Sequence, residues 1–310
     1  MNRLLDIHQV FGNGADNLLR PANRKTGRSH VWHRGRFSEM RRHVPGRFTR
    51  VPFEYGGKVN PLLEVICNAE GMPLSVVSPA YALMNHVDVV GALANAVRAI
   101  GLEVDHYPVE IYVGHHGARF GLRLVLSDIA SDPGDGHPVG GRVEVLNSMD
   151  RSLPLRITFG HHRLVCSNGL MIFLTTVNLL EVHLRGRLDQ EKVNKAIMAG
   201  VASLGEKGDR FRALHETSIP HGFTKDLLAA VAGVWGEREA KAIEAALAGG
   251  VYRGARVPGL TVPVETLWGV YNALTWVAGR SQNLARQTRM SEAAHGIIEE
   301  AMKIHGIEPN

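Results

Sequence analysis

The residues of this chain that could do chemistry are concentrated in a basic stretch near its amino terminus. Residues 20–50 hold ten lysines and arginines against one acid, Glu39, which gives the stretch a net charge of +9. The whole chain of 310 residues has a net charge of +5, so the remaining residues together carry −4. Arginine neutralises phosphate, and a basic segment joined to a mildly acidic body is typical of proteins that bind polyanions.

Aromatic residues are interleaved with these cations. Trp32, Phe37 and Phe48 lie among the arginines, and an aromatic face can stack on an unpaired base with about 1–3 kcal/mol per base. The pattern predicts phosphate contacts with Trp32 as a stacking platform. The predicted nucleic-acid contacts in this stretch are Arg24, Lys25, Arg28, Trp32, Arg34, Arg36, Arg41 and Arg42. A solubilising or protein-binding tail is the alternative interpretation.

A second cationic surface is predicted on a β-sheet. Apolar residues alternate with polar ones from 119 to 126, so Arg119 and Arg123 should face away from the core. The same alternation is expected to expose Arg142 and Arg156, with Arg163 continuing the pattern and Glu110 and Glu144 on the same face. The predicted groove is lined by Arg119, Arg123, Arg156 and Arg163. A solvated face without a ligand is equally compatible with this pattern.

The groove hypothesis has a direct test. Charge reversal at Arg119 and Arg123 is expected to weaken DNA binding without lowering the melting temperature. Unchanged binding would remove the groove from this hypothesis.

Histidine and cysteine are weaker candidates. His161, His162 and Cys166 lie close together in the sequence, and imidazoles beside a thiolate are found in metal- or cysteine-dependent enzymes. Adjacent residues of a strand point to opposite faces, so His161 and His162 cannot chelate one ion there without a bend. The sequence has no His-Glu-x-x-His, Gly-x-Ser-x-Gly or Walker pattern. We therefore predict no catalytic residue, no metal and no cofactor.

The elements that must position these residues fall into three regions. Residues 1–50 are punctuated by glycine and proline and predict a basic, loop-rich arm. Residues 51–188 predict an α+β sheet core, and residues 189–310 predict a helical region packed on it. The fold class is therefore α+β, with an antiparallel β-sheet packed against helices, a helical C-terminal region and a basic N-terminal arm.

Several elements have clear local signals. Val109–Val113 and Arg119–Leu126 alternate and predict a β-hairpin. Helical spacing predicts a helix capped near Asp189, a helix over Glu237–Leu247 and a last helix that begins with Ser291 as its N-cap.

Composition excludes several protein classes. Hydrophobic residues make up 45% and charged residues 21% of the chain, which is typical of a globular protein. No uncharged run reaches the roughly 20 apolar residues of a membrane span, and no apolar signal segment is found at the start. Two cysteines are too few for a disulfide scaffold. We expect a cytoplasmic protein without a membrane partner.

Three stretches resemble the phage- and plasmid-like proteins grouped as domain of unknown function 932. Arg163–Leu170 (RLVCSNGL) is similar to the family's Arg-x-x-Cys-x-Asn core, and Gly169 stands where many members have Thr. Ser75–His86 and Leu267–Thr275 resemble its early Tyr-containing stretch and its late Asn-Ala-x-Thr helix. Together the three stretches span about residues 60–300. The resemblance implies a mobile-element setting and no particular chemistry.

The predicted order of helix, hairpin, further strands and long helix is similar to the β-β-β-α unit of single-strand annealing recombinases. Those proteins assemble as rings and hold DNA in a basic groove. By this fold analogy we expect a non-enzymatic protein that binds single-stranded DNA or RNA, anneals strands and forms a homo-oligomer, with a ring as the analogous form. The alternatives are a metal- or cysteine-dependent enzyme around His161, His162 and Cys166, and a protein-binding inhibitory or structural factor.

Overall fold

The protein has an α+β fold, as the sequence predicts. The computed structural model describes residues 30–163, 171–172, 179–181, 183, 189–204, 208–250, 256–257, 260, 262–280 and 284–308. The strands are β1 (His30–Arg36), β2 (Thr49–Tyr55), β3 (Lys58–Cys67), β4 (Pro73–Val77), β5 (Pro108–Gly114), β6 (Arg119–Ser131), β7 (Val139–Ser148), β8 (Leu155–Arg163), β9 (Met171–Ile172) and β10 (Leu179–Glu181). The α-helices are α1 (Phe37–Met40), α2 (His86–Ala99), α3 (Gln190–Ser203), α4 (Gly208–Glu216), α5 (Phe223–Trp235), α6 (Glu237–Leu247), α7 (Leu267–Gly279) and α8 (Leu284–Ile304).

The larger of two antiparallel sheets has the strand order β1-β5-β6-β7-β8-β10, and β9 pairs with β8. Strands β5 and β6 form the predicted hairpin, in which Ile111 lies opposite Leu122. The alternating residues place their apolar side chains on one face, where Ile111, Leu122, Val145 and Ile157 are all buried. This face packs against α2 and α3, so burial of apolar surface holds the sheet and the two helices together.

The smaller sheet has the order β2-β3-β4. Its buried side contributes Ile66 and Val77 to a cluster that also contains Phe48, Tyr81 and Met149. Because Met149 directly follows β7, this cluster joins the smaller sheet to one end of the larger one.

The C-terminal helices surround α7. Every residue of α7 from Leu267 to Ala278 is buried, which is typical of a helix that is apolar on all sides. Phe211 and Phe223 pack in the same cluster. Within the described ranges, no helix is long and apolar enough to cross a membrane.

Two parts of the fold differ from the sequence prediction. Residues 30–36 form β1 and pair with β5, although residues 1–50 read as a loop-rich arm. The glycine and the charged residues of this segment hide the alternation that is typical of a strand. The polar residues are accommodated because they lie opposite polar residues of β5. Helix α8 begins at Leu284 and contains a buried Ser291, so the predicted N-cap is wrong. The apolar periodicity becomes clear only in the second half of α8.

Candidate functional site

One face of the larger sheet carries charged side chains. Arg34 of β1 lies opposite Glu110 of β5. Arg123 of β6 lies between Glu110 and Glu144, its neighbours on β5 and β7. Positive and negative charges therefore alternate across four strands, and opposite charges on neighbouring strands stabilise a sheet. We call these four residues, together with Arg142 of β7, the charged face.

The charged face is a buried ion-pair network. The Nε of Arg34 is 2.6 Å from a carboxylate oxygen of Glu110. Arg123 lies 3.2 Å from Glu110 and 2.9 Å from Glu144, and Arg142 also contacts Glu144. The side chains of Glu110 and Glu144 are only 4% and 6% exposed. Burial lowers the pKa of Arg142, and the Glu144 carboxylate counteracts this effect.

The expectation that Arg142 is exposed is therefore wrong, since Arg142 is 2% exposed. Strand alternation separates the two faces of a sheet correctly, but it does not show which face is solvated. Alternating charges on neighbouring strands allow this polar face to be buried.

Trp32 lies on the same side of β1 as Arg34. Its ring centroid is 5.2 Å from that of Tyr112, and the guanidinium of Arg123 lies 5.7 Å from the Trp32 ring centroid. A cation at this distance is attracted to the ring face. A base can stack on this face of Trp32 only after these contacts rearrange.

Arg119 lies at the start of β6, beside the turn of the hairpin. Its Nε is 2.6 Å from Asp150, and the Nδ1 of His115 is 2.7 Å from the same carboxylate oxygen. Burial opposes ionisation of Asp150, but hydrogen bonds from Ser152, His115 and Arg119 hold its pKa at about 2. Asp150 is therefore ionised at neutral pH, and Arg119 forms an intramolecular ion pair.

Within Ser75–His86, the buried residues Tyr81, Asn85 and His86 form a polar joint between the two sheets. The hydroxyl of Tyr81 donates to the carbonyl of Ser148 at 3.1 Å. The Oδ1 of Asn85 accepts from the backbone N–H of Phe48 at 2.7 Å. The residues that resemble the family's early motif therefore hold the sheets together.

His86 is the fully buried member of this polar joint. Its Nε2 lies 3.1 Å from the carbonyl of Gly117, which fixes the proton on Nε2, and its Nδ1 accepts from the Asn147 amide at 3.1 Å. Burial lowers the pKa of His86 to about 3. His86 is therefore a neutral link between α2, the hairpin turn and β7.

Residues 36–43, which we call the basic corner, connect β1 to the segment before the smaller sheet. Phe37 and Met40 are buried and anchor α1 against the apolar core. Arg41 and Arg42, in the 3-10 helix that follows, are exposed. The acid of this segment, Glu39, accepts a hydrogen bond from the backbone N–H of Arg36 at 3.3 Å. The basic corner therefore presents arginines to solvent from an anchored turn of helix.

Two histidines stack beside the exposed arginines. The rings of His33 and His43 are nearly parallel, at 12°, with centroids 3.6 Å apart. The Nε of Arg42 donates to the Nε2 of His43 at 3.2 Å. Burial lowers the pKa of His33, and the charges of His43 and Arg42 lower it further. Sequence reasoning missed this pair because ten residues separate the two histidines.

The remaining predicted contacts are dispersed. Arg156 lies on β8 opposite Leu146 and is partly buried. Arg163 is the last residue of β8 and lies opposite Val139. Arg24, Lys25 and Arg28 lie outside the described residues. The structure thus brings Arg41 and Arg42 together, and it places Arg34 and Arg123 in the charged face.

Of the alternative site, the side chain of His161 is described. His161 is buried, with its Nε2 3.1 Å from the carbonyl of Leu204 and its ring centroid 4.7 Å from that of Phe211. Cys166 lies outside the described residues. Among the described residues, no group of three or more His, Cys, Asp or Glu side chains could hold a metal ion.

A groove of about 740 Å³ lies between α2 and the beginning of α3. Asn95 of α2 and Asn194 of α3 line it, together with Asp189. The side chain of Asp189 accepts from the backbone N–H of Lys192 at 2.7 Å, which confirms the predicted cap. The sequence did not reveal the groove because its walls are about a hundred residues apart along the chain.

Comparison with known proteins gives one match. The sequence model of the family described as domain of unknown function 932 matches residues 73–297. No curated protein and no solved structure matches the chain. The match covers the polar joint, the charged strands β5 to β8 and most of the helical region, and the basic corner lies before it. The chain belongs to the family described as domain of unknown function 932.

Proposed function

We propose that this protein binds single-stranded nucleic acid, without enzymatic activity, and that the basic corner is its main phosphate-contacting surface. One observation carries the proposal: Arg41 and Arg42 are exposed on a helical turn whose Phe37 and Met40 are buried. Side chains on an anchored turn lose less conformational entropy on binding than those of a flexible tail. Exposed arginines in a basic stretch attract the phosphate backbone.

The charged face contributes less to this function than its arginine content indicates. Arg123 is 11% exposed and lies between two carboxylates, and Arg119 pairs with Asp150. A phosphate that approached Arg123 would compete with two carboxylates, and one that approached Arg119 would be the second anion on an arginine that already pairs with Asp150. Arg156 and Arg163, both on β8, remain predicted contacts.

The proposal also includes strand annealing and assembly into a homo-oligomer. They rest on the similarity of the element order to that of single-strand annealing recombinases, which is a likeness of architecture and not of site. Mass measurement of the purified protein with and without an oligonucleotide tests the assembly. Fluorescence recovery of two complementary labelled strands tests the annealing.

The main test is fluorescence anisotropy of a labelled single-stranded oligonucleotide, beside a duplex of the same sequence. We expect tighter binding of the single strand and a steep loss of affinity with salt. The double variant Arg41→Gln/Arg42→Gln should bind weakly, whereas Arg238→Gln, an exposed arginine of α6, should bind like the wild type. Equal loss in both variants would show that net charge rather than the basic corner determines binding.

A further inference from the structure

The His33–His43 pair connects β1 to the basic corner, and phosphate binding by the exposed arginines does not explain it. Two imidazoles stacked at 3.6 Å cannot both become cations without repulsion, unless an anion lies beside them. Arg42 is within hydrogen-bond distance of His43, and it brings a third positive group to the same place. The cluster contains the residue types of a phosphate site, because in such sites guanidinium and imidazolium groups donate hydrogen bonds to one anion.

The hydrogen bond from Arg42 to His43 defines how the cluster changes with pH. The guanidinium is always a donor, so the Nε2 of His43 must be an unprotonated acceptor in this structure. Protonation of that nitrogen removes the acceptor and releases Arg42 from the ring. The same event turns His43 into a second donor. Low pH therefore frees one cation and creates another.

One carboxylate lies in the same segment as this cluster. Glu39 of α1 accepts a hydrogen bond from the backbone N–H of Arg36, which leaves its negative charge in place. The groups that face His33 are Arg42 and His43 of the 3-10 helix, and on β5 the residue opposite His33 is the apolar Ile111. At low pH three positive groups would thus face one carboxylate, and a bound phosphate would supply the further negative charge.

We propose that His33, Arg42 and His43 form a phosphate subsite whose affinity for single-stranded nucleic acid increases as the pH falls from 8 to 6. The inference deepens the function proposed above and rests on it. Phosphate removes the repulsion that keeps His33 neutral, so the pKa of His33 is higher in the complex than in the free protein. Binding is therefore favoured below these two pKa values and lost as the pH rises through them.

The test measures oligonucleotide affinity at pH 6 and pH 8 and constant ionic strength. A rise of one pKa unit on one histidine changes the affinity by at most about tenfold, and this limit is reached only at a pH below both pKa values. The two histidines together can therefore supply a gain of about tenfold at pH 6. We expect about a tenfold gain at pH 6 for the wild type and at most about twofold for His33→Gln and for His43→Gln. His221→Gln, which removes an exposed histidine before α5, is the matched control and should keep the tenfold gain. Thermal melting verifies that each variant is folded.

A second measurement tests the phosphate subsite independently of the proposed nucleic-acid binding. Proton NMR follows the titration of His33 with and without inorganic phosphate. We expect phosphate to raise the pKa of His33 and to shift the ring resonances of His43 but not those of His221. If phosphate raises the pKa of His33 but no oligonucleotide binds at either pH, the phosphate subsite is confirmed and the proposed nucleic-acid binding is wrong. If the oligonucleotide binds and the His33 and His43 variants keep the full pH dependence, nucleic-acid binding stands and the subsite is wrong.

Discussion

Arg123 and Arg42 are the same residue type in opposite surroundings. Arg123 is 11% exposed and reaches two carboxylates, whereas Arg42 is exposed and donates to a histidine ring. The charge of Arg123 is compensated within the protein, and that of Arg42 remains available to an anion. At the scale of single residues, burial and partners decide which arginines stabilise the fold and which can bind a ligand.

Reversal of the charge at Arg123 should therefore destabilise the protein. Arg123→Glu would place a third carboxylate beside Glu110 and Glu144, and removal of one partner from a buried ion pair costs about 3–5 kcal/mol. We expect a clear fall in the melting temperature, contrary to the sequence-based expectation that the substitution would leave it unchanged. Arg238→Glu on the exposed surface of α6 is the control. A melting temperature equal to that of the control would contradict the ion-pair network.

The buried His86 should make stability depend on pH. Its pKa is about 3 in the folded protein, below the 6.5 of an exposed histidine. Between these values the unfolded chain binds a proton that the folded chain does not, so stability falls as the pH falls. From pH 7 to pH 5 the free energy of unfolding should decrease by about 2 kcal/mol through His86 alone. Asp150 adds nothing in this window because its pKa is about 2.

Urea denaturation at the two pH values measures this effect. In His86→Phe, which keeps an aromatic ring beside Phe120, the decrease should be smaller by about 2 kcal/mol. Burial also lowers the pKa of His183, so part of the pH dependence should remain. His221→Gln should behave like the wild type. The same decrease in His86→Phe and in the wild type would show that the pKa of His86 is the same in the folded and the unfolded protein.

Helix α3 packs on the larger sheet at a glycine. A Cβ on Gly200 would lie 2.2 Å from the Cε2 of Phe159, whereas a Cβ on Gly296 in α8 would meet nothing within 4 Å. Gly200→Ala should therefore cost about 1–3 kcal/mol by overpacking, and Gly296→Ala should stabilise by about 0.5–1 kcal/mol because alanine favours helix. Chemical denaturation of both variants measures the contrast. Stabilisation by both substitutions would mean that α3 lies farther from β8.

At the scale of elements, local patterns predict what local physics determines. The hairpin of β5 and β6 follows from period-two alternation around a turn, and α6 has the predicted bounds of Glu237–Leu247. Strand β1 escaped prediction because only its pairing with β5, more than seventy residues away, makes its polar residues part of a sheet. The basic corner was predicted as a set of cations, but its anchoring by Phe37 and Met40 depends on the packed core.

The whole molecule combines a positive amino-terminal stretch with a body of net negative charge. Residues 20–50 carry +9 and the rest of the chain −4. Four arginines of the larger sheet pair with Glu110, Glu144 and Asp150: Arg34, Arg119, Arg123 and Arg142. The family match begins at residue 73, so the basic corner lies outside the matched region. The proposed phosphate-contacting surface thus lies outside the part of the chain that the family model covers.

This location gives a quantitative prediction for the dependence of binding on salt. For single strands, the logarithm of affinity falls with the logarithm of salt concentration by about 0.7 for each phosphate that the protein neutralises. Loss of two contacts in Arg41→Gln/Arg42→Gln should reduce this slope by about 1.4. Reversal of Arg119 should leave the slope nearly unchanged, because that arginine neutralises Asp150. Anisotropy titrations at several salt concentrations measure the slopes. A larger change for Arg119→Glu than for the double variant would move the phosphate-contacting surface from the basic corner to the sheet.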